Sequence, residues 1–194
     1  FGSSTVNLWS LRRRIGLVST DLQGQYIPQV RGLDVVLSGW FGSVGLGRDQ
    51  EPTAGQRQRT WELMEKLSLV ELSHEPFGQL SEGQRRRLLI ARALVHKPEV
   101  LVLDEPTNAL DLKAKHQLLD LLRQLAQNGT TLLLVTHQIE AIVPEISRCV
   151  LLNQGQVVGD GASSEVLQSQ PLSDLFGTPL QVLEANNYRQ VLPR

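Results

Sequence analysis

The sequence has one cysteine, Cys149, and no run of apolar residues that approaches the length of a membrane span. A single cysteine excludes a disulfide framework and a cysteine-based metal cluster, and it fits a reducing, cytosolic compartment. The longest aliphatic runs, such as residues 132–135, have the length of core strands. The net charge of −1 produces no whole-chain field that would attract nucleic acid or an acidic membrane surface. We therefore expect no nucleic-acid partner.

The sequence also lacks a Gly-Lys pair. This absence matters for the glycine-rich stretch 39–47, which invites comparison with a phosphate-binding P-loop. A P-loop needs Lys and then Ser or Thr directly after its last glycine, in order to reach the phosphates and Mg²⁺. Here Arg48 follows instead. The stretch is therefore interpreted as a flexible connector that exposes Trp40 and Phe41.

The sequence does contain a short apolar run, residues 100–103, that ends in the consecutive carboxylates Asp104 and Glu105. An apolar run without alternation predicts a strand buried on both faces of a parallel sheet. Ligands of such sheets lie at the carboxyl ends of the strands. Adjacent carboxylates repel each other unless a cation or a proton relieves them. A magnesium–nucleotide site is one interpretation of this pair, and a strand end with two solvated acids is the other.

The strongest predicted helix begins after Ser81. Ser81 and Gln84 have the spacing of a capping box, and Pro98 predicts that the helix ends near residue 95. Gly83 would let a ligand approach the backbone, so this helix N-terminus is a candidate anion site. The three arginines at 85–87 would reinforce such a site, although a solvated basic face is the favoured role for most of them.

A second buried strand is predicted over residues 131–136 and delivers His137 at its end. A helix over residues 112–127, capped by Asp111, connects the two strands, so the strands should be parallel. If they are neighbours, His137 lies near the two carboxylates. A lone histidine is more often structural, but beside two acids at a strand tip a catalytic role is favoured.

The remaining predicted elements surround these strands and helices. In chain order they are a strand (15–18), a loop (19–29), a helix (56–67), a hairpin (148–153 with 156–161), a short helix capped by serines (163–168) and a weak helix (180–187). The loop follows the carboxyl end of a strand, which is a plausible place for a ligand contact.

Four of these pieces stand in a fixed order: Leu80-Ser81-Glu82-Gly83-Gln84, the strand ending in Asp104-Glu105, Ala109-Leu110-Asp111, and His137. Over about residues 8–161 the sequence thereby resembles the ATP-binding domain of ABC-type (ATP-binding cassette) ATPases. The pieces resemble the signature motif, Walker B strand, D-loop and switch histidine of that family. The resemblance implies an α/β fold of the P-loop NTPase type, with a parallel sheet core flanked by helices, an inserted helical subdomain and a C-terminal β-hairpin.

The resemblance also implies a domain organisation. Residues 1–29 would form the start of the core with the Q-loop region, and residues 30–95 the helical signature subdomain. Residues 96–170 would return to the core with the Walker B strand, D-loop and switch histidine, and residues 171–194 would be a C-terminal tail.

Each matching residue carries an implied role. Asp104 would hold Mg²⁺, mostly through water. Glu105 would be the general base that polarises the attacking water, and His137 would contact the γ-phosphate. The implied nucleotide-binding residues are Ser81, Gly83, Gln84, Gln23 and Asp111. Gln23 is the preferred match for the Q-loop glutamine, with Thr20 as the alternative register.

The sequence departs from the family pattern at two points. Glu82 stands where the family usually has glycine, and its charge is unfavourable near a phosphate unless it points away, so it is not counted among the binding residues. The Lys-bearing P-loop and the adenine-stacking aromatic residue are absent, and in the family both precede the segment that matches residue 1. We therefore expect an N-terminally truncated domain. The parent protein would hydrolyse ATP, while these 194 residues alone would bind ATP poorly and be inactive.

The resemblance implies the ATPase subunit of a membrane transporter, peripheral on the inner, cytoplasmic face of the cell membrane. Its expected partners are ATP with Mg²⁺, transmembrane permease subunits, and a second ATPase domain in a homo- or heterodimer. Residues 30–95 would dock on the permease, and the connector 39–47 loosely resembles importers of metal ions, oxyanions or metal chelates. The alternative is a soluble ABC ATPase without a permease, acting in DNA repair, translation or regulation. A degenerate structural cassette is disfavoured by the intact Asp104, Glu105 and His137.

Overall fold

The computed structural model describes Leu11 and residues 14–194, which divide into two compact units. The first unit contains the described residues up to Leu118 together with Gly129–Val135, and the second contains Leu119–Asn128 and Thr136–Arg194. The start of the predicted domain 1–29 lies outside the described residues. The domain limits predicted at residues 29, 95 and 170 stay a prediction.

Among the described residues, four consecutive α-helices separate the first two strands of the first unit, and the second unit contains two hairpins. In chain order they are β1 (Ile15–Val18), α1 (Thr20–Gly24), α2 (Gly32–Leu37), α3 (Ala54–Lys66), α4 (Glu82–Leu94), β2 (Val100–Asp104), α5 (Leu112–Gln127), β3 (Thr131–Val135), β4 (Arg148–Asn153), β5 (Gln156–Ala162), α6 (Ser163–Val166), α7 (Ser169–Phe176), β6 (Leu180–Ala185) and β7 (Tyr188–Pro193).

The first unit is built on a parallel sheet in the order β1-β2-β3. In the shared register, Val18 lies beside Leu103, and Leu103 beside Leu134. The predicted βαβ crossover is therefore confirmed, since β2 and β3 are parallel neighbours joined through α5. Among the described residues, no helix has the length and apolar character that a membrane span requires.

Among the described residues of this sheet, the side chains of one face are buried and those of the other face are partly exposed. Leu101 and Leu103 of β2 have no exposed surface, whereas Leu17 of β1 and Leu133 of β3 are 46% and 54% exposed. Helix α4 covers the buried face so closely that a Cβ on Gly16 would stand 2.7 Å from the carbonyl oxygen of Ala93. The prediction that β2 is buried on both faces is wrong, because the alternate side chains of the sheet remain partly open.

The predicted connector is a structured segment. Its aromatic residues lie in a 3-10 turn, Ser38–Phe41, and are half-buried. The indole Nε1 of Trp40 donates to the hydroxyl of Thr60, at 3.0 Å, and Arg92 Nη2 donates to the carbonyl of Ser43, at 2.9 Å. The prediction of a flexible connector that exposes its aromatic residues is therefore wrong, because one hydrogen bond to α3 and one from α4 anchor the segment.

Trp40→Phe is expected to lower the free energy of unfolding by about 1 kcal/mol, because the variant loses the hydrogen bond to a fully buried hydroxyl. The Thr60 hydroxyl keeps its own bond to the carbonyl of Gln56, at 2.8 Å. Urea unfolding measures the loss. Trp61→Phe is the matched control, because its indole donates only to the exposed Glu65, and it should cost less than half as much. Equal losses in the two variants would contradict this role of Trp40.

The segment after β1 differs from its prediction. Residues 19–29 were expected to form a loop, but Ser19 accepts a hydrogen bond from the amide of Leu22, at 3.2 Å, and so caps helix α1. Asp21 in the first turn adds a favourable charge at the helix N-terminus.

The predicted helix 56–67 is confirmed as α3, which begins two residues earlier because Thr53 and Gln56 form a capping box.

The second unit contains two hairpins. The predicted hairpin is confirmed as β4–β5, with Gln154 and Gly155 both at positive φ in its turn. The weak helix predicted over residues 180–187 is wrong, because this stretch forms β6 and the turn into β7. Asn186 and Asn187 adopt φ values of 53° and 63°, which is the left-handed turn conformation that asparagine tolerates.

A small apolar core holds the second unit together. Its buried members are Ile139, Leu151, Val166, Leu167 and Leu172. Helix α6 follows Ala162 and has no side-chain cap, so the prediction that Ser163 and Ser164 cap it is wrong. Arg123 lies 2.9 Å from a carboxylate oxygen of Glu145 and stacks over the ring of Tyr188 at 5.5 Å, which ties the C-terminal hairpin to this core.

Candidate functional site

The two carboxylates lie where β2 ends. Asp104 is the last residue of the strand and is exposed, while Glu105 adopts a φ of 46°. A positive φ on a residue other than glycine is strained, and such strain clusters at functional sites. The amide of Glu105 still donates to the carbonyl of Val135 of β3, at 2.9 Å. The chain thus turns sharply at Glu105, so both carboxylates stay at the carboxyl edge of the sheet.

The turn after the carboxylates leads directly into α5. Ala109 adopts a φ of 59°, and Thr107 is buried. Asp111 Oδ1 accepts a hydrogen bond from the amide of Ala114, at 2.7 Å. The prediction that Asp111 caps this helix is confirmed, and the cap fixes the position of the turn against the first turn of α5.

The N-terminus of α4 carries the predicted capping box. The amide of Gln84 donates to Ser81 Oγ, at 3.3 Å, and the amide of Ser81 donates to Gln84 Oε1, at 2.8 Å. The amides of Glu82 and Gly83 lie too early in the helix to reach an intrahelical carbonyl. This end of α4 therefore presents two main-chain donors with the positive end of the helix dipole behind them.

Gly83 is also required by packing. A Cβ placed on Gly83 would stand 2.8 Å from the Cβ of Ala114 in α5. The first turns of α4 and α5 therefore approach each other more closely than any other residue at position 83 would allow. This contact joins the segment of Ser81 to the segment of Asp111 within the first unit.

Both candidates for the Q-loop residue lie beside α4. Gln23 Nε2 donates to Glu82 Oε1, at 2.8 Å, and Arg86 Nη2 lies 3.5 Å from the hydroxyl of Thr20. Within the described residues, the buried Oε1 of Gln23 has no hydrogen-bond donor. Helix α1 is thus joined to the start of α4 through polar side chains.

The three arginines of α4 do not form a solvated basic face. Arg85 donates to the carbonyls of Phe77 and Gly78, at 3.0 and 2.9 Å, and Arg87 donates to another main-chain carbonyl. The side chain of Arg86 is 1% exposed. The predicted role as a solvated basic face is therefore wrong, because Arg85 and Arg87 donate to backbone carbonyls and Arg86 is buried. Sequence reasoning missed Arg86, although its spacing of four residues from Glu82 signals a helical ion pair.

Burial lowers the pKa of the Arg86 guanidinium, while the negative charges of Glu82 and Asp104 act to raise it. Glu82 Oε1 lies 3.7 Å from Arg86 Nη2, and Glu82 Oε2 lies 3.9 Å from Arg85 Nη1. The positive charge of Arg86 is therefore attracted by a carboxylate in the first turn of α4 and by another at the end of β2.

His137 belongs to the second unit and follows the last residue of β3 by two positions. The amide of Gln138 donates to the hydroxyl of Thr136, at 3.0 Å, so the residues on both sides of His137 form a tight turn. The predicted parallel pairing of the preceding strand with β2 is present.

The end of β2 fits a magnesium ion. This ion is commonly bound through one or two carboxylates together with substrate phosphates and water, rather than by a cage of protein ligands. Asp104 supplies an exposed carboxylate at the strand end, and Glu105 supplies a second one beside it. These two oxygen donors are the ligand type that magnesium prefers.

A parallel sheet with acids at the end of its central strand, together with a helix whose first amides have no intrahelical partner, is typical of α/β nucleotide-binding domains. The family model described as ABC transporter matches residues 3–108 of the 194 residues. The chain therefore belongs to the ABC transporter family, as the sequence motifs predicted.

Two relatives illustrate the match. The uncharacterized ABC transporter ATP-binding protein YlmA of Bacillus subtilis (strain 168) is 41% identical over 175 residues, which cover 89% of this chain and 66% of YlmA. The cobalt import ATP-binding protein CbiO of Rhodobacter capsulatus is 39% identical over 169 residues, which cover 87% of this chain and 58% of CbiO. The chain thus spans less than two thirds of the length of these two relatives.

Solved structures agree with the fold. A transporter assigned to the metal-chelate type of ABC transporter, in an inward-facing conformation, superposes with a TM-score of 0.79 at 30% identity, covering 93% of this chain and 72% of that chain. A dimer of the bacterial ABC transporter cassette MJ0796 superposes with a TM-score of 0.63 at 30% identity, covering 78% of this chain and 63% of that chain. The predicted α/β fold of the P-loop NTPase type is confirmed.

Proposed function

We propose that the protein is the ATP-hydrolysing subunit of an ABC transporter and that it acts at a composite site formed by two such domains. The observation that carries this proposal is the end of β2, where an exposed Asp104 is followed by Glu105 in a strained turn held to β3. Strand ends in parallel sheets are where nucleotides bind, and strain maintained there favours a functional constraint over a plain surface turn.

The two carboxylates take different roles in this proposal. Asp104 holds the magnesium ion, which supplies charge neutralisation for the phosphates when it is bound. Glu105 accepts a proton from the attacking water as that water approaches the γ-phosphate.

The N-terminus of α4 binds the γ-phosphate of an ATP molecule held by the partner domain. Ser81 Oγ already accepts from the amide of Gln84, so its own proton can be donated to a phosphate oxygen. Gln84 accepts through Oε1, which leaves its NH₂ group to donate. With the main-chain amide of Gly83, these donors stabilise charge on the phosphoryl group by fixed position, which is the main catalytic contribution in phosphoryl transfer.

Three further residues complete the proposal. Asp111 communicates across the dimer, because its cap fixes the turn that packs against Gly83 through α5. Gln23, in α1 directly after β1, binds the nucleotide, and His137 contacts the γ-phosphate. The support for His137 is its place in the chain directly after a parallel neighbour of β2.

We further propose that transmembrane permease subunits anchor the protein to the cytoplasmic face of the membrane. The permease would dock on the helical region, residues 30–95, where Val44 is 41% exposed. The solute is proposed to be a metal ion, an oxyanion or a metal chelate, because two of the similar proteins are named for cobalt import and metal-chelate transport. The similar cassette that forms a dimer supports a second ATPase domain.

The test uses the protein at its natural full length and measures phosphate release from ATP. Turnover is expected with magnesium, should fall to background in EDTA, and should return when magnesium is added back. Purification from membranes should recover a permease together with the protein. No turnover at any magnesium concentration would overturn the ATPase proposal. Turnover combined with failure to recover any permease from membranes would favour a soluble ATPase.

A further inference from the structure

Glu82 occupies the second position of the segment that the proposed function assigns to phosphate binding, where a negative charge is unfavourable. Its carboxylate nevertheless has three polar partners. Oε1 accepts a hydrogen bond from Gln23 Nε2, at 2.8 Å, and lies 3.7 Å from Arg86 Nη2. Oε2 lies 3.9 Å from Arg85 Nη1. One side chain therefore connects helix α1, which follows β1, to the first turn of α4, across 59 positions in the sequence.

The burial of these groups makes the connection costly to break. The Arg86 side chain is 1% exposed, and within the described residues its Nε and Nη1 have no hydrogen-bond acceptor. A buried guanidinium without a nearby carboxylate would carry a large desolvation penalty. Glu82 forms an ion pair with it at 3.7 Å and is itself only 29% exposed. Each of the two charges thus makes the burial of the other tolerable.

We propose that Glu82 is a positioning residue: it fixes Gln23 against the first turn of α4, with Arg86 as its counter-charge. The proposal deepens the proposed function, and rests on it only for the statement that Gln23 and the α4 N-terminus act on the same nucleotide. Glycine at position 82 would provide neither the acceptor for Gln23 nor the charge for Arg86.

The same contacts explain how a carboxylate is tolerated beside an anion site. The charge of Glu82 is drawn towards two guanidinium groups and an amide donor, so its field at the first amides of α4 is largely compensated. The main-chain donors of Glu82 and Gly83 remain available. Glu82 therefore does not bind the phosphate. It sets the geometry of Gln23 relative to the helix end that does.

Hydrogen–deuterium exchange of α1 tests the contact between Gln23 and Glu82, here called the bridge, without any nucleotide. In Glu82→Ala and in Gln23→Ala, the amides of Gln25 and Tyr26 are expected to exchange about 5- to 10-fold faster, which corresponds to the loss of one hydrogen bond. The double variant should exchange no faster than either single variant, because the two changes remove the same contact. Additive effects, or unchanged exchange in α1, would overturn the proposal.

Two further variants separate the bridge from general damage. Glu62→Ala is the matched control, because Gln58 Nε2 donates to Glu62 Oε1, at 3.0 Å, within the exposed surface of α3. It should leave exchange in α1 unchanged. Glu82→Gln keeps an acceptor for Gln23 but removes the counter-charge of Arg86. It should restore most of the protection of α1 while lowering the melting temperature, and loss of protection equal to that of Glu82→Ala would contradict the geometry.

Steady-state ATP hydrolysis by the protein at its natural full length distinguishes a failure of this inference from a failure of the proposed function. Glu82→Ala and Gln23→Ala should lower kcat by similar factors, with a smaller change in KM, and Glu82→Gln should recover part of kcat. If the wild-type protein hydrolyses no ATP while the exchange pattern holds, the proposed function fails and the bridge stands. If ATP is hydrolysed but α1 exchange ignores Glu82, the bridge fails alone.

Discussion

In the protein at its natural full length, Glu105→Gln is expected to lower kcat for ATP hydrolysis by at least about 100-fold, the usual contribution of a general base. Glutamine has the shape of glutamate and still occupies the strained turn after β2, but its amide cannot accept a proton from water. The carboxylate of Asp104 is unchanged, so ATP affinity in the presence of magnesium should stay within a few fold of wild type. Phosphate release and equilibrium nucleotide binding measure the two effects separately.

The matched control for this variant lies at the opposite end of the same strand. Glu99 precedes β2, is exposed, and pairs with Arg14 at 2.7 Å. Glu99→Gln removes a carboxylate that directly precedes β2, away from the proposed site, and should leave kcat within about 2-fold, because exposed ion pairs contribute little. More than about a tenth of wild-type activity in Glu105→Gln would assign the base to another residue.

Gly83→Ala is expected to lower the free energy of unfolding by about 1–3 kcal/mol, the usual cost of overpacking. The added methyl group would stand 2.8 Å from the Cβ of Ala114, so the first turns of α4 and α5 must separate. ATP hydrolysis should fall as well, because the same displacement moves Ser81 and the turn that Asp111 caps. Urea unfolding and phosphate release measure the two losses.

A second-site change tests this explanation. Ala114→Gly removes the clashing atom and costs about 1 kcal/mol by itself, the difference in helix propensity. The double variant should lose less stability than the sum of the single variants, because the methyl group added at position 83 no longer meets a Cβ at position 114. Gly55→Ala is the matched control, since Gly55 is also the second residue of a helix and a Cβ there meets nothing within 4 Å. If the two glycine variants are equally tolerated, the contact does not limit the approach of the helices.

Local chemistry made several elements predictable. The capping box at Ser81, the cap by Asp111 and the turn at Gln154 each depend on residues within four positions of one another. Such motifs satisfy backbone groups by short-range contacts, so their residue types appear together in the sequence. The missed cap at Ser19 belongs to the same class. Its signal was present, but the glycine and proline that follow favoured a loop.

Features that depend on contacts between distant elements were harder to predict from the sequence. The aromatic residues of the 3-10 turn were expected to be exposed, yet Trp40 reaches a hydroxyl 20 positions away in α3. Arg86 was expected to be solvated, yet the packing of α4 leaves it 1% exposed. A side chain's own identity predicts neither outcome, because burial depends on which other elements cover it.

The sequence by itself determined the order of the four motifs, the parallel βαβ unit with acids at its strand end, and the family to which the chain belongs. These properties follow from local periodicity, caps and residue types at short spacing. Only the tertiary structure decided that Glu82 bridges Gln23 and Arg86, that Gly83 packs against Ala114, and that one face of the sheet is open. Each of these depends on contacts between residues far apart in the chain, whose free energies no local pattern encodes.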